Sequence, residues 1–467
     1  MDATNHPESE NPEQTLPDDG EQKTRPALTG PLIELPAETQ YRCPGERHPI
    51  SRSIHLSRLA AFYPACRQCQ HRHDTGQLPP QTLERIQQVE RRGSTPSVFQ
   101  TDGVRGVFLN EFTPALAAQI AKAFASILWD QIPLAGRSGT RRKSQPARRG
   151  PSIVVGYDER PSSPAVLTSV IDALRMMGCP VTDVGLVSRP CFAFAVAHLQ
   201  TAGGIFVTGS GCGASSAGLD LVAEGALPLS LGTGLEEVAR RVAAGVARPT
   251  RRAGFQQSFQ VLVPYEAALW KHFHALRPLK IVCAVRPRPV RRTLRKLFAE
   301  LPCQLSEVEA FAAANQPLKH DVLLKQLSRR VVSKNAHLGV LIDDDGARCW
   351  FLDERGRVIP SVRVGQMLAR YRRLDHPNSA VVTESAALSS FENLSGASAI
   401  DGGSSSGSIA RAMLGTTAAF GCGNSNRYWW GESFPACDAI LTLAHVLQSL
   451  SRSDATFSSV VRQSSSS

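Results

Sequence analysis

Short apolar runs of strand type alternate with helix-type stretches three times over between residues 97 and 452. That alternation restricts the chain to an α/β fold with parallel or mixed sheets. In the first unit, 152–155, 181–186 and 205–208 read as buried strands. Thr113-Pro114 opens a helix, with Thr as N-cap and Pro at the first helical position, and Ser163-Pro164 opens a second. Leu116, Ile120, Phe124 and Leu128 fall on one face of the first of these helices. The second unit reads as strands at 280–285 and 338–342, a basic helix at 290–301 and a hairpin at 351–359 turning at Glu354-Arg355-Gly356. The third has a strand at 380–383, a Gly/Ser-rich stretch at 402–408 and a last helix with Ile440, Leu443, Leu447 and Leu450 on one face. The expected domains are therefore 97–250, 251–361 and 362–452.

The ends are different in kind. Residues 1–38 are acidic, polar and proline-rich, so they cannot bury enough surface to offset the entropy of ordering, and they read as a disordered tail. Residues 453–467 read as a second, serine-rich tail. Between the first tail and the first unit, 39–96 form a small Cys/His module and a linker, with a short polar helix from Thr82 to Arg92. Cys66-x-x-Cys69 has the spacing of a zinc half-site, and Cys43 and His48 supply two more ligands. A structural Zn²⁺ on Cys43, His48, Cys66 and Cys69 is expected, with His55, His71 and His73 as competing ligands.

Composition narrows the surroundings. The eleven cysteines are odd in number and scattered, which argues against a secreted disulfide scaffold and for the cytoplasm. No apolar run approaches the ~20 residues of a membrane span, and the first 40 residues lack the apolar stretch of a signal peptide. A net charge of +11 suits anionic partners: phosphorylated metabolites, nucleic acid or an acidic surface. The basic runs at 137–149 and 286–296 carry no interleaved aromatics, and such runs are more often solvated faces than nucleic-acid surfaces.

Five ordered segments resemble the α-D-phosphohexomutase family, the phosphoglucomutases and phosphomannomutases. Phe99-Gln100-Thr101-Asp102-Gly103-Val104-Arg105-Gly106 is similar to the family's F-G-T-D-G-x-R-G loop, and implies that Arg105 lies beside a catalytic phosphoserine. Val155-Gly156-Tyr157-Asp158-Glu159-Arg160-Pro161-Ser162-Ser163 resembles V-G-x-D-x-R-x-S-S, with Asp158 and Arg160 as braces. Gly203-Gly204-Ile205-Phe206-Val207-Thr208-Gly209-Ser210 resembles the nucleophile segment G-G-x-x-x-T-A-S-H-N-P, which places Ser210 on the phosphoryl-carrying serine. Asp343-Asp344-Asp345-Gly346-Ala347-Arg348 resembles the D-G-D-x-D-R loop, and implies Mg²⁺ on Asp343, Asp345 and Ser210, with Arg348 on the phosphate. Phe420-Gly421-Cys422-Gly423-Asn424-Ser425-Asn426-Arg427 resembles the sugar loop F-G-G-E-x-S-G-H, and implies that Ser425 and Arg427 contact a hexose.

The family's residues are not all present. The histidine after the serine is Gly211, the lysine of N-G-x-K is Asp220, the third aspartate is Ala347 and the sugar-gripping glutamate is Gly423. Asp344 replaces a glycine, and on an unchanged backbone it would point away from the serine. The family's fourth domain, which cradles the substrate's other phosphate, has no counterpart in the residues after 450. The expectation is three phosphohexomutase-type α/β/α domains behind a Cys/His module, with phosphoryl transfer on hexose phosphates impaired. The alternatives are a non-catalytic binding or regulatory homologue with a protein partner, and an interaction protein led by the Cys/His module.

Overall fold

The computed structural model describes residues 40–463, except for 45, 62, 64, 67–68, 84–85, 87–96, 133–149, 310–318, 393–397 and 433. The tail 1–38, most of the helix expected from Thr82 and the basic run 137–149 lie outside the described residues. The chain divides into two compact units, 1–91 and 92–467. The first contains a two-residue antiparallel pair, β1 (Gln40–Tyr41) and β2 (Ile50–Ser51), and helix α1 (Arg52–Ala60).

The second unit opens with β3 (Phe99–Gln100), β4 (Gly103–Val107) and helix α2 (Pro114–Gln131). Thr113 caps α2 by accepting from Leu116 N at 3.1 Å, and Ile120, Phe124 and Leu128 are buried as their spacing predicts. There follow β5 (Ile153–Tyr157), α3 (Ser163–Met176), β6 (Val181–Leu186), α4 (Arg189–His198), β7 (Gly203–Val207), β8 (Ser216–Ala223), β9 (Leu227–Pro228) and α5 (Leu235–Ala244). The sheet order is β10-β6-β5-β7-β8-β4-β3, with β9 beside β8. The far-edge strand β10 (Gln256–Ser258) runs parallel to β6, so the first sheet continues past the expected boundary at 250.

The next two sheets share one plan. Helix α6 (Leu262–Trp270) leads to β11 (Lys280–Val285), α7 (Arg288–Phe298), β12 (Gln304–Val308), α8 (His320–Ser333), β13 (Leu338–Ile342), β14 (Cys349–Leu352) and β15 (Val358–Ile359). Helix α9 (Ser361–Asp375) then leads to β16 (Val381–Thr383), the short α10 (Ser389–Glu392), β17 (Ala399–Asp401), α11 (Ser406–Thr416), β18 (Phe420–Cys422), β19 (Tyr428–Trp430) and β20 (Ala436–Cys437). The strand orders are β12-β11-β13-β14-β15 and β17-β16-β18-β19-β20. In each, three parallel strands are followed by an antiparallel pair.

This repetition positions the site. In all three sheets a parallel strand turns back into an antiparallel neighbour: β7 into β8, β13 into β14, and β18 into β19. The loops at those reversals are 208–215, 343–348 and 423–427, three of the segments singled out in the sequence. They leave the carboxyl ends of parallel strands, where open α/β sheets place ligands.

The last helices close the core. Asp438 caps α12 (Ala439–Ser451) by accepting from Ile440 N and Leu441 N, and its other oxygen accepts from the buried Tyr265 hydroxyl at 2.7 Å. Residues 457–463 are not a tail. They form α13 (Phe457–Gln463), with Phe457 and Val461 buried, and Ser458 donates to Glu354 at 2.6 Å. Periodicity missed α13 because the helix is short and serine-rich, with Phe457, Val460 and Val461 as its apolar contacts. Trp429 and Trp430 are core residues, and Trp430 Nε1 donates to Thr442 at 3.0 Å.

Candidate functional site

Ser210 is buried, at 8% exposure, on the loop after β7. Asp158 holds that loop by accepting from Gly209 N at 3.1 Å and from Ser163 Oγ at 2.5 Å. Arg160 donates to the carbonyls of Gly213, Ser216 and Cys212 at 2.8–3.3 Å. Its second amino group donates to Asp344 at 3.1 Å. Both residues brace the loop rather than face a ligand.

Asp344 is turned the opposite way from the sequence expectation. Ser210 Oγ donates to its Oδ1 at 2.9 Å. The left-handed residue of this loop is Gly346, with φ of 78°, while Asp344 is absent from the residues of positive φ. The tight turn therefore falls two residues later than a glycine at 344 would put it, and the Asp344 carboxylate is free to face the serine.

Asp345 is turned away and is not gathered with Ser210. Its Oδ1 accepts from Ala347 N at 2.8 Å. Burial works against its charge, yet Arg189 and Arg427, aided by that N–H, hold its carboxyl below the usual range. Asp343 has the reverse environment. Burial first, and then the charges of Asp344 and Asp345, push its carboxyl up to about 7. Arg286 and Arg348 stand 3.8 and 3.9 Å from its two oxygens.

Mg²⁺ demands close to six oxygens in regular geometry. Asp343, Asp344 and Ser210 Oγ are the oxygens on this side. The carboxylates of 343–345 do not converge within the 4.8 Å that brings three ligand atoms together elsewhere in the described residues. Two guanidiniums already flank Asp343. The donor set does not fit the three-aspartate site that the resemblance implies.

The arginines are also engaged. Arg105 is buried, and its Nε donates to Ser210 O at 3.1 Å. One amino group donates to Val104 O and Leu219 O, and the other pairs with Asp220 at 2.6 Å. Asp220 also pairs with Arg189 Nε at 3.0 Å. The acid in the place of a lysine is thus neutralised by two arginines, and sequence reasoning missed Arg189. Its only signal was its position, at the start of α4 after the capping Ser188. Burial opposes the Arg189 charge, but Asp220 and Asp345 raise its pKa. Arg348 is different: its Nε is buried without a hydrogen-bond partner, and its guanidinium lies beside Gly211.

The backbone of the sugar loop is engaged as well, but one of its hydroxyls is not. The Ser425 hydroxyl is buried without a partner, while Ser425 N and Asn424 N both donate to Glu384 Oε2, at 3.1 and 2.7 Å. A Cβ on Gly423 would land on the Glu384 carboxylate. Glu384 therefore fills the space that a side chain at 423 would take. Arg427 reaches Asp102 at 3.5 Å and Ser406 Oγ at 3.3 Å. Asp102 also accepts from Ser230 Oγ at 2.6 Å and Ser406 N at 2.9 Å, which ties the first loop to the start of α11.

That junction is tight. A Cβ on Gly407 would lie 2.7 Å from Pro228 O and 2.9 Å from Ser230 Oγ. Gly407→Ala is expected to cost about 1–3 kcal/mol by overpacking. It is read as a lower denaturation midpoint, and an unchanged midpoint would mean that α11 simply slides away from β9. The seam beside Asp158, Phe206, Asp344 and Asp345 encloses only about 10 Å³, about one water.

Two other features bear on ligands. His272, Glu432 and His445 bring ligand atoms within 4.8 Å of one another. Arg372 already pairs with Glu432 at 3.0 Å, so a guanidinium neutralises the carboxylate a metal would need. The run 286–296 lies on and just before α7, and its charges are largely satisfied within the fold. Arg288 pairs with Glu159, Arg295 with Glu307 and Lys296 with Glu266. No helix among the described residues is long and apolar enough to cross a membrane.

Residues 96–245 match the family model for phosphoglucomutase/phosphomannomutase, alpha/beta/alpha domain I. A Xanthomonas campestris pv. campestris protein described as "Phosphohexose mutases" is 29% identical over 295 residues, and the match covers 62% of this chain and 61% of that one. The chain thus spans less than two thirds of that relative's length. A Thermococcus kodakarensis phosphoglucomutase/phosphomannomutase is 26% identical over 382 residues, covering 78% and 79% of the two chains. Among solved structures, a phosphoglucomutase/phosphomannomutase family protein of Burkholderia thailandensis has a TM-score of 0.66 at 21% identity, covering 78% and 79%. A phosphomannomutase-like structure from Thermus thermophilus has a TM-score of 0.62 at 21% identity, covering 79% and 84%.

Proposed function

We propose, for a chain that belongs to the phosphohexomutase family, that it keeps the family's scaffold but does not turn over hexose phosphates, and serves as a non-catalytic homologue. The observation that carries this reading is the pairing of Arg105 with Asp220 at 2.6 Å inside the fold. A phosphoryl group on Ser210 needs cations that are free to receive it. Arg105 is spent on Asp220 and on three carbonyls, and Arg189 on the other oxygen of Asp220. The Ser210 hydroxyl faces an acid, Asp344, so a phosphate there would meet like charge.

Incubating the purified chain with Mg²⁺ and glucose 1,6-bisphosphate tests this. Phosphopeptide mapping is expected to find Ser210 unmodified, and neither glucose 1-phosphate nor mannose 1-phosphate is expected to be isomerised. Turnover of either sugar phosphate would end the reading. Phosphate on Ser210 without turnover would favour a second one, a phosphoryl acceptor. What supports that second reading is Arg348, whose buried Nε lacks a partner and whose guanidinium lies beside the serine loop.

A further inference from the structure

The first unit brings three cysteines and a histidine into its interior, but the histidine is His55 and not His48. His48 is exposed, whereas His55 is fully buried on α1. Cys43, Cys66 and Cys69 are buried at 6%, 5% and 2% exposure, and all are free thiols. Cys43 Sγ lies 3.8 Å from Cys69 Sγ and 3.8 Å from His55 Nδ1. A disulfide needs sulfurs about 2.05 Å apart, so this pair is unbonded. Ligands about 2.3 Å from a tetrahedral Zn²⁺ stand roughly 3.8 Å from one another, and these two contacts match. No three of the four ligand atoms lie within 4.8 Å of one another, so the ion would have to draw the others in around Cys43.

The remaining details point the same way. His55 Nε2 lies 3.0 Å from Asp74 O, so it is the protonated nitrogen, and the Nδ1 lone pair is left facing Cys43. The imidazole is held flat against Tyr41, with ring centroids 4.3 Å apart and planes 4° from parallel. The Tyr41 hydroxyl in turn donates to Asp74, fixing the segment that holds His55. Cys69 N donates to Cys66 O at 3.3 Å. Among its described residues the apolar clusters are small: Tyr41, Cys43, Ile50 and Cys69 in one, and Leu59, Cys66 and Ile86, with Leu56 and Leu78 packed against them, in the other. A module of this size ordinarily needs a staple. A dication would displace the thiol protons and turn the buried cysteines into ligands.

We infer that the first unit is a structural zinc site in which Cys43, His55, Cys66 and Cys69 hold a closed, four-coordinate Zn²⁺. It lies outside the phosphohexomutase segments and takes no part in their chemistry. The test uses the full chain, purified without chelator. Elemental analysis is expected to give one zinc per chain. Exchange with Co²⁺ should give the intense visible bands and the thiolate charge-transfer absorption of a tetrahedral site. His48→Ala should keep both signals, and His55→Ala should lose the metal or bind it much more weakly. Because loss of His55 can also unfold the unit, His55→Cys serves as a second variant: it should retain the metal and shift the cobalt spectrum toward four sulfurs. Substoichiometric zinc, together with rapid alkylation of the three cysteines in the native chain, overturns the site. Zinc that survives H55A but leaves with H48A assigns the fourth ligand to His48 and overturns the ligand set.

Discussion

Replacing Asp220 with asparagine is expected to destabilise the fold by about 3–5 kcal/mol, the usual cost of removing one partner from a buried ion pair. Asp220 is only 5% exposed, with one oxygen 2.6 Å from Arg105 and the other 3.0 Å from Arg189. Asparagine keeps the shape but leaves two guanidiniums short of a counter-charge. Arg105 would retain only carbonyl acceptors, and Arg189 would retain Asp345 as its nearest acid. The measurement is the denaturation midpoint of the variant, with Asp172→Asn as control. Asp172 pairs with Arg175 at 3.8 Å on the surface, where such a pair contributes under about 1 kcal/mol. Asp220→Lys, which puts the family's residue type back, is expected to be worse still, because it adds a third cation to two buried ones. An Asp220→Asn protein that melts with the parent would mean that the arginines swing out to solvent. The claim that they are committed to the fold would then be lost.

The backbone plan was legible because it is written locally. Thr113-Pro114 and Ser163-Pro164 each start a helix just before an apolar stripe, and the apolar runs at 153–157 and 338–342 form buried strands. The loops were legible too, since each follows such a strand. Side-chain direction within the loops was not. Whether Asp344 or Asp345 faces Ser210 depends on which residue takes the left-handed turn, and that is settled by packing around Gly346 rather than by residue type. Pairings between residues distant in sequence were equally hidden. Glu384 and Gly423 were not connected, although the one fills the space the other leaves. Arg189 carried no motif. His55 was visible only as a competitor, because spacing cannot distinguish a histidine that α1 turns inward from one four residues before the helix that stays in solvent.

Asp343 should make the chain less stable as pH rises from about 4 to 7, the reverse of most carboxylates. Burial, followed by Asp344 and Asp345, pushes its carboxyl up to about 7, while in the unfolded chain it titrates near 3.9. Between those values the folded state binds the proton and the unfolded state does not, so raising the pH favours unfolding. About three pH units at 1.36 kcal/mol each set a ceiling of about 4 kcal/mol, reached only above pH 7. Other groups act in neighbouring windows. Asp102 and Asp345 have lowered carboxyls, so their contribution is present above pH 4 and is lost as pH falls further. His272 and His445 have lowered imidazoles, so their contribution is present above about 6.5 and is lost as pH falls, opposite in sign to Asp343 within its window. Subtracting the parent from Asp343→Asn isolates the one carboxyl. In chelator, the variant should melt with the parent near pH 4.5 and increasingly above it toward pH 8. A difference that stays flat across that range would show that Arg286 and Arg348, 3.8 and 3.9 Å away, already carry the ionised form. Repeating the series in Mg²⁺ separates the two readings of the loop. Unchanged curves agree with guanidiniums standing in the cation's place. A Mg²⁺-dependent rise present in the parent and absent from Asp343→Asn would restore a metal site there, and with it the case for phosphoryl chemistry at Ser210.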